Sequence, residues 1–171
     1  MPRSPDSLIP ALPASAYTAS GCAYVAVYGT LRASGVNDIR RLAADVRQVG
    51  TTQLQGTLYD LGWYPGLRLH GGHPLVAEVY ALNATLEQAL DRIEGLWPHD
   101  MGEYVKRVVT QAVRAPDGAV QPLELLVYEA TPHLVAGKPV IDAPDWLAWF
   151  AASGRARPEQ FRLNSTRPPT A

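Results

Sequence analysis

Apolar residues fall in short blocks separated by glycine, proline and polar turns, and the spacing inside each block predicts its structure. Ala23 to Tyr28 (AYVAVY) is an unbroken run of β-formers stopped by Gly29, the pattern of a buried strand entering a tight turn. After Leu31 and Arg32 the chain turns polar, and Asn37 to Ala44 reads as a short helix with Ile39 and Leu42 facing inward. Val46 to Leu61 alternates loosely and carries Gly50 and Gly56, which predicts one long bent strand or two strands around a bulge. Gly62-Trp63-Tyr64-Pro65-Gly66 is a turn of chain breakers and aromatics. Leu67 and Leu69 then form a brief strand before Gly71-Gly72, and Leu75 to Tyr80 (LVAEVY) forms another.

The clearest helix is Thr85 to Gly95. Leu86, Ala89, Leu90 and Ile93 recur at helical spacing, Thr85 with Gln88 matches a capping box, and Gly95 closes the helix. Tyr104 to Val113 and Leu123 to Ala130 read as a hairpin across Pro116-Asp117-Gly118, and Asp145 to Ala152 (DWLAWFAA) as a short amphipathic helix. Roughly six or seven strands and three helices without βαβ alternation indicate an α+β fold. The expected architecture is a mixed, largely antiparallel sheet curled into a small barrel with flanking helices, which hides strand edges and uses glycines at the bends.

Length and composition narrow this further. A chain of 171 residues, 47% hydrophobic and 18% charged, suits one folded unit with a sizeable core. Fifteen basic residues balance sixteen acidic ones for a net charge of −1, so no global field favours nucleic acid or an anionic membrane. The single cysteine, Cys22, excludes an intrachain disulfide framework and fits a reducing compartment, with the cytoplasm expected. Four prolines precede Ser20, and Pro10 and Pro13 interrupt any signal-peptide core. The expected organisation is a flexible or loosely docked N-terminal tail at 1–22, a folded domain at 23–162 and a C-terminal tail at 163–171.

Two clusters of polar residues invite a chemical reading. On the 85–95 helix, Glu94 falls at the edge of the apolar arc, roughly 90° from its centre. Glu87 points nearly the same way two turns earlier, and Asp91 points farther outward. Taken alone, the three acids describe a solvated acidic face. His70, His73, His99 and Asp100 match no tight metal-ligand spacing, so no metal is expected.

Four pieces, in order, are together more specific: VAVYGTLR (Val25 to Arg32), GTLYDLGWYPGL (Gly56 to Leu67), AEVY leading into LDRIEG (Ala77 to Gly95), and Tyr104 to Val109 followed by LLVYEA (Leu125 to Ala130). This set resembles the γ-glutamylcyclotransferase-like superfamily, with its AIG2-like and γ-glutamylamine cyclotransferase branches. The resemblance implies that backbone N–H groups of Tyr28, Gly29, Thr30 and Leu31 hold a γ-glutamyl group, a role suited to a glycine-containing nest for an α-carboxylate. It also places the general acid/base at Glu94, at the negative end of a helix dipole and in partial burial, both of which raise a carboxylate pKa.

The implied partner is a small γ-glutamyl amine or amide, cyclised to 5-oxoproline without a cofactor. Arg32, Tyr104 and Tyr128 are further pocket candidates. Lys106 stands where the family often has arginine, with Arg107 next, which bears on substrate identity. A non-catalytic small-molecule-binding module of the same fold is the alternative.

Overall fold

The structure, a computed structural model, describes residues 16–155. Ten elements follow in chain order. They are β1 (Tyr24–Val27), a 3-10 turn (Ile39–Arg41), β2 (Gln48–Asp60), β3 (Pro65–Ala81), α1 (Ala84–Ile93), β4 (Tyr104–Arg114), β5 (Val120–Ala130), α2 (Pro132–Val135), β6 (Val140–Ile141) and α3 (Trp146–Ala152). The sheet runs β3-β1-β5-β4-β2 and closes through a β2–β3 pairing, with β6 added along the end of β2. Only β1 and β5 are parallel neighbours; the other pairings are antiparallel. The protein is therefore an α+β fold built on a closed, mixed barrel of five strands.

The closed topology explains the sequence of β1. Val25 and Val27 pack outward against Leu86 and Leu90 of α1, while Ala26 joins a second core cluster. That cluster draws on all five barrel strands, from Leu54, Leu67, Val113, Leu125 and their neighbours, and Trp146 and Phe150 of α3 complete it. A strand buried on both faces needs apolar residues at every position, and AYVAVY provides them.

Several elements differ locally from the sequence-based expectation. The helix expected at Asn37 to Ala44 is only a 3-10 turn, started by the Asp38 carboxylate, which accepts the Arg40 N–H. The two strands expected around Gly71-Gly72 are one strand of 17 residues. Its ladder to β2 jumps between Gly56↔His73 and Thr57↔Arg68, so the glycines form a bulge rather than an end. The cap of α1 is Asn83, whose Oδ1 accepts the Leu86 N–H at 2.8 Å, and the helix starts one residue before Thr85.

Residues 16–22, within the expected N-terminal tail, lie along α1. The Tyr17 hydroxyl donates to Asp91 at 2.8 Å, and the Ser20 N–H and hydroxyl donate to Glu87 at 2.9 Å each. The expected tails at 1–15 and 163–171, and the expected domain end at 162, lie outside the described residues. Among the described residues, no helix is long and apolar enough to cross a membrane.

Candidate active site

β1 ends inside the molecule, and the chain must leave it through a buried loop. That loop is closed on itself: the Arg32 N–H donates to the Gly29 carbonyl, the Asn37 N–H to Thr30 and the Ile39 N–H to Leu31. Its carbonyls are thus used internally. The N–H groups of Gly29, Thr30 and Leu31 make no hydrogen bond among the described residues, which leaves a short run of donors.

These residues border a cavity of about 380 Å³. Tyr28, Gly29, Thr30 and Leu31 form one wall; Trp63 and Tyr64 from the β2–β3 turn, with Pro65 at the start of β3, form another. Ile93 and Glu94 enter from the end of α1, Glu103 from the segment just before β4, Tyr104 from the start of β4, and Tyr128 from β5. The structure therefore brings together six of the sequence-predicted residues (Tyr28, Gly29, Thr30, Leu31, Tyr104, Tyr128) and Glu94.

Gly29 matters for space rather than for backbone freedom. Its φ lies outside the left-handed region that favours glycine. A Cβ there would instead lie 2.7 Å from Cγ of Pro65, so the two walls touch only because the side chain is missing.

Glu94 is the C-cap residue of α1, with its N–H on the Leu90 carbonyl, and Gly95 follows at φ +68. Its half-buried carboxylate has no hydrogen-bond or ion-pair partner among the described residues. Burial, followed by the negative charges of Asp91 and Glu103, pushes its pKa up to about 8.

The other two acids of the helix do not form a solvated face. Glu87 and Asp91 are 1% and 2% exposed, and Lys106 Nζ lies 2.8 Å from each. Asp91 also accepts the Tyr128 hydroxyl at 2.6 Å. The expectation failed because it considered one helix alone: β4 and β5 cross that face and supply the cation and the hydroxyl.

The three tyrosines border the cavity, and each hydroxyl is taken up in a hydrogen bond within the protein. Tyr28 donates to the Tyr128 carbonyl at 2.7 Å, Tyr104 to the Pro65 carbonyl at 3.3 Å, and Tyr128 to Asp91. Burial raises all three pKa values far above the ordinary tyrosine range, so these groups stay protonated. Arg32 is not in the cavity wall. It is buried beside Glu78 at 3.2 Å and Asp145 at 2.8 Å, where it ties the loop to β3 and to the cap of α3. Lys106 and Arg107 also face away from the cavity, toward the α1 acids and toward Glu129 at 2.8 Å respectively.

Four polar or aromatic lining residues are not among the site candidates expected from the sequence. Asn37 is 5% exposed; its Nδ2 donates to the Thr30 hydroxyl at 3.3 Å, and its buried Oδ1 has no partner. Glu103 sits in an irregular segment without periodicity, so no pattern singled it out. Trp63 and Tyr64 were visible only as an aromatic turn.

A family model described as gamma-glutamyl cyclotransferase, AIG2-like, matches residues 25–148. Among solved structures, an AIG2-like protein from Mus musculus superimposes with a TM-score of 0.52 at 20% identity, covering 72% of this chain and 88% of that one. A uropathogenic E. coli-specific protein gives 0.51 at 20% identity, with 75% and 95% covered. YkqA from Bacillus subtilis gives 0.54 at 21% identity, with 77% of this chain and 42% of that one covered. At these identities the structures show a shared fold. No curated protein matches the chain significantly.

Proposed function

Because the chain belongs to the gamma-glutamyl cyclotransferase, AIG2-like family, we propose that it cyclises the γ-glutamyl group of a small γ-glutamyl amine or amide to 5-oxoproline. The observation that carries this reading is the meeting of unlike groups in one cavity. A run of unpaired N–H donors at Gly29, Thr30 and Leu31 shares it with one unpartnered carboxylate, Glu94, whose pKa is about 8.

The donors suit the substrate's α-carboxylate, as oriented amides bind anions without a counter-cation. With that end fixed, the α-amine is held near the γ-carbonyl of the same molecule, and tethering removes the entropic cost of bringing them together. The amine nitrogen attacks the γ-carbon, a C–N bond forms, and the five-membered lactam closes. Glu94 takes the proton released by the attacking nitrogen and returns it to the departing nitrogen as the original amide C–N bond breaks. All substrate atoms reappear in 5-oxoproline and the free amine, so neither water nor a cofactor enters the equation. A base with a pKa near 8 suits both halves of this transfer, being a competent acceptor and a competent donor near neutral pH.

The test is incubation with a panel of γ-glutamyl amines and measurement of 5-oxoproline. Glu94→Gln is expected to lower kcat by about 10²–10⁴-fold, the usual contribution of a general acid/base. Full activity in that variant would remove Glu94 from the mechanism, and binding without product from any substrate would identify a binding module.

A further inference from the structure

The segment at residues 16–22 lies ahead of Val25, where the family match begins, yet it sits on the helix that ends at Glu94. Ser20 holds Glu87 through its N–H and hydroxyl, and Tyr17 reaches Asp91 one helical turn further on. Tyr17 makes two contacts that bracket Glu94 in the chain. Its hydroxyl donates to Oδ2 of Asp91 at 2.8 Å, on the helix side of Glu94. Its ring meets the Trp97 ring edge-on beyond Glu94, with centroids 6.1 Å apart at 88°. The backbone joins the same two points, because the Leu96 and Trp97 N–H groups donate to the Asp91 carbonyl at 2.7 and 3.2 Å. With Gly95 at φ +68 between them, residues 91–97 form a closed turn that carries Glu94.

We propose that Tyr17 is a positioning residue for Glu94, fixing this turn from both ends, so that the segment ahead of the family match is a working part of the site. The proposal rests on the cyclisation reading. The Glu94 carboxylate has no partner of its own among the described residues, so its place is set by the backbone beneath it. Helix ends fray, since their last carbonyls have no partner within the helix, and a tether across the end opposes this. Burial, then the bond to Asp91, raises the Tyr17 pKa above the ordinary tyrosine range, so the hydroxyl remains a donor. Tyr17 contacts Asp91, Trp97 and Lys106, none of which lines the cavity. Its influence therefore passes through Glu94 and leaves the donor loop at Gly29 to Leu31 untouched. A general acid/base must stay within hydrogen-bond reach of the reacting nitrogen, and a loosened turn spends less time there.

Tyr17→Ala removes both contacts and is expected to lower kcat about tenfold, with KM changed by less than about twofold. Tyr17→Phe keeps the ring on Trp97 and drops only the hydroxyl, so its loss should be about threefold. In the Glu94→Gln background, Tyr17→Ala is expected to cost nothing further, because its effect runs through the missing carboxylate. An equal fall in both backgrounds would make Tyr17 a general support of the fold and overturn the proposal. So would wild-type kcat in either Tyr17 variant, or a loss carried by KM.

Hydrogen exchange provides a readout without turnover. In Tyr17→Ala the Glu94, Leu96 and Trp97 amides, bonded to Leu90 and Asp91, should exchange about tenfold faster while β4–β5 amides keep their wild-type rates. That pattern with no 5-oxoproline from wild type would sink cyclisation while upholding the positioning of Glu94. Product formed, with unchanged exchange at these amides, would do the reverse. Faster exchange throughout the barrel would mark general destabilisation and overturn the proposal.

Discussion

At the scale of single residues, chemistry here depends on what each side chain is denied. Glu94 lacks a partner, and its protonation follows from burial beside Asp91 and Glu103. In the proposed role of base it must be ionised, so kcat/KM should rise with pH along an acid limb centred near pH 8. The Glu94→Gln variant should lack that limb in its residual activity.

The same shift has a stability consequence of opposite sign. Between its ordinary value of 4.5 and about 8, Glu94 binds its proton more firmly folded than unfolded, so its contribution is fully present below pH 4.5 and lost as pH rises to about 8. Urea denaturation from pH 4 to 9 should show Glu94→Gln gaining on wild type across that window, by on the order of 5 kcal/mol at its upper end. Gly29 lacks a side chain, and Gly29→Ala would press a Cβ against the Pro65 ring. Overpacking of this kind costs roughly 1–3 kcal/mol. A displacement near 1 Å in the loop should lower kcat/KM by on the order of 10²-fold, with the fold retained by circular dichroism.

At the scale of elements, α1 is positioned by a buried ion cluster rather than by its apolar stripe alone. Glu87 and Asp91 face Lys106 of β4, the Tyr128 hydroxyl of β5 and the Tyr17–Ser20 segment, all in one network. Glu94 follows Asp91 by less than one turn of the chain, so whatever fixes Asp91 also aims Glu94. Removing the cation leaves two buried carboxylates uncompensated, which costs about 3–5 kcal/mol. Lys106→Met should lose that much stability in urea denaturation. It should also move the acid limb of any remaining activity upward, because the negative field at Glu94 is no longer offset. The fourth predicted fragment of the sequence placed Lys106 correctly on a strand, but its target is visible only once that strand lies across α1.

At the scale of the whole molecule, the site exists because the barrel closes. The seam is short: β2 meets β4 at Thr51↔Arg114, supported by the Thr52 hydroxyl donating to the Ala112 carbonyl at 2.8 Å. Gly50 lies at this seam, where an added Cβ would fall 2.2 Å from the Arg114 carbonyl oxygen. Gly50→Ala should therefore force the strands apart, lower stability by roughly 3 kcal/mol, and speed hydrogen exchange at β2 and β4 amides near Thr51 and Arg114 before other strands are affected. Closure also brings the β1 loop, the β2–β3 turn, the end of α1 and the start of β4 around one cavity, although these segments are far apart in the chain.

Local order was legible in the residues themselves. The two-sided burial of β1 follows from its unbroken apolar run, the end of α1 from its periodicity and Gly95, and the β4–β5 hairpin from its turn. These depend on interactions within a few residues, which a linear pattern records. The ordered motifs carried the family and, through it, Glu94 and the Tyr28–Leu31 loop. Contacts between elements were not legible. Nothing in the spacing of Glu87, Asp91 and Glu94 distinguishes two paired acids from a free one, because the cation that separates them comes from another strand. The diversion of Arg32 to Glu78 and Asp145, the packing of Gly29 on Pro65 and the arrival of Glu103 in the cavity have the same origin. Charge and space at a site are set by neighbours across the barrel, and only closure of the sheet brings those neighbours together.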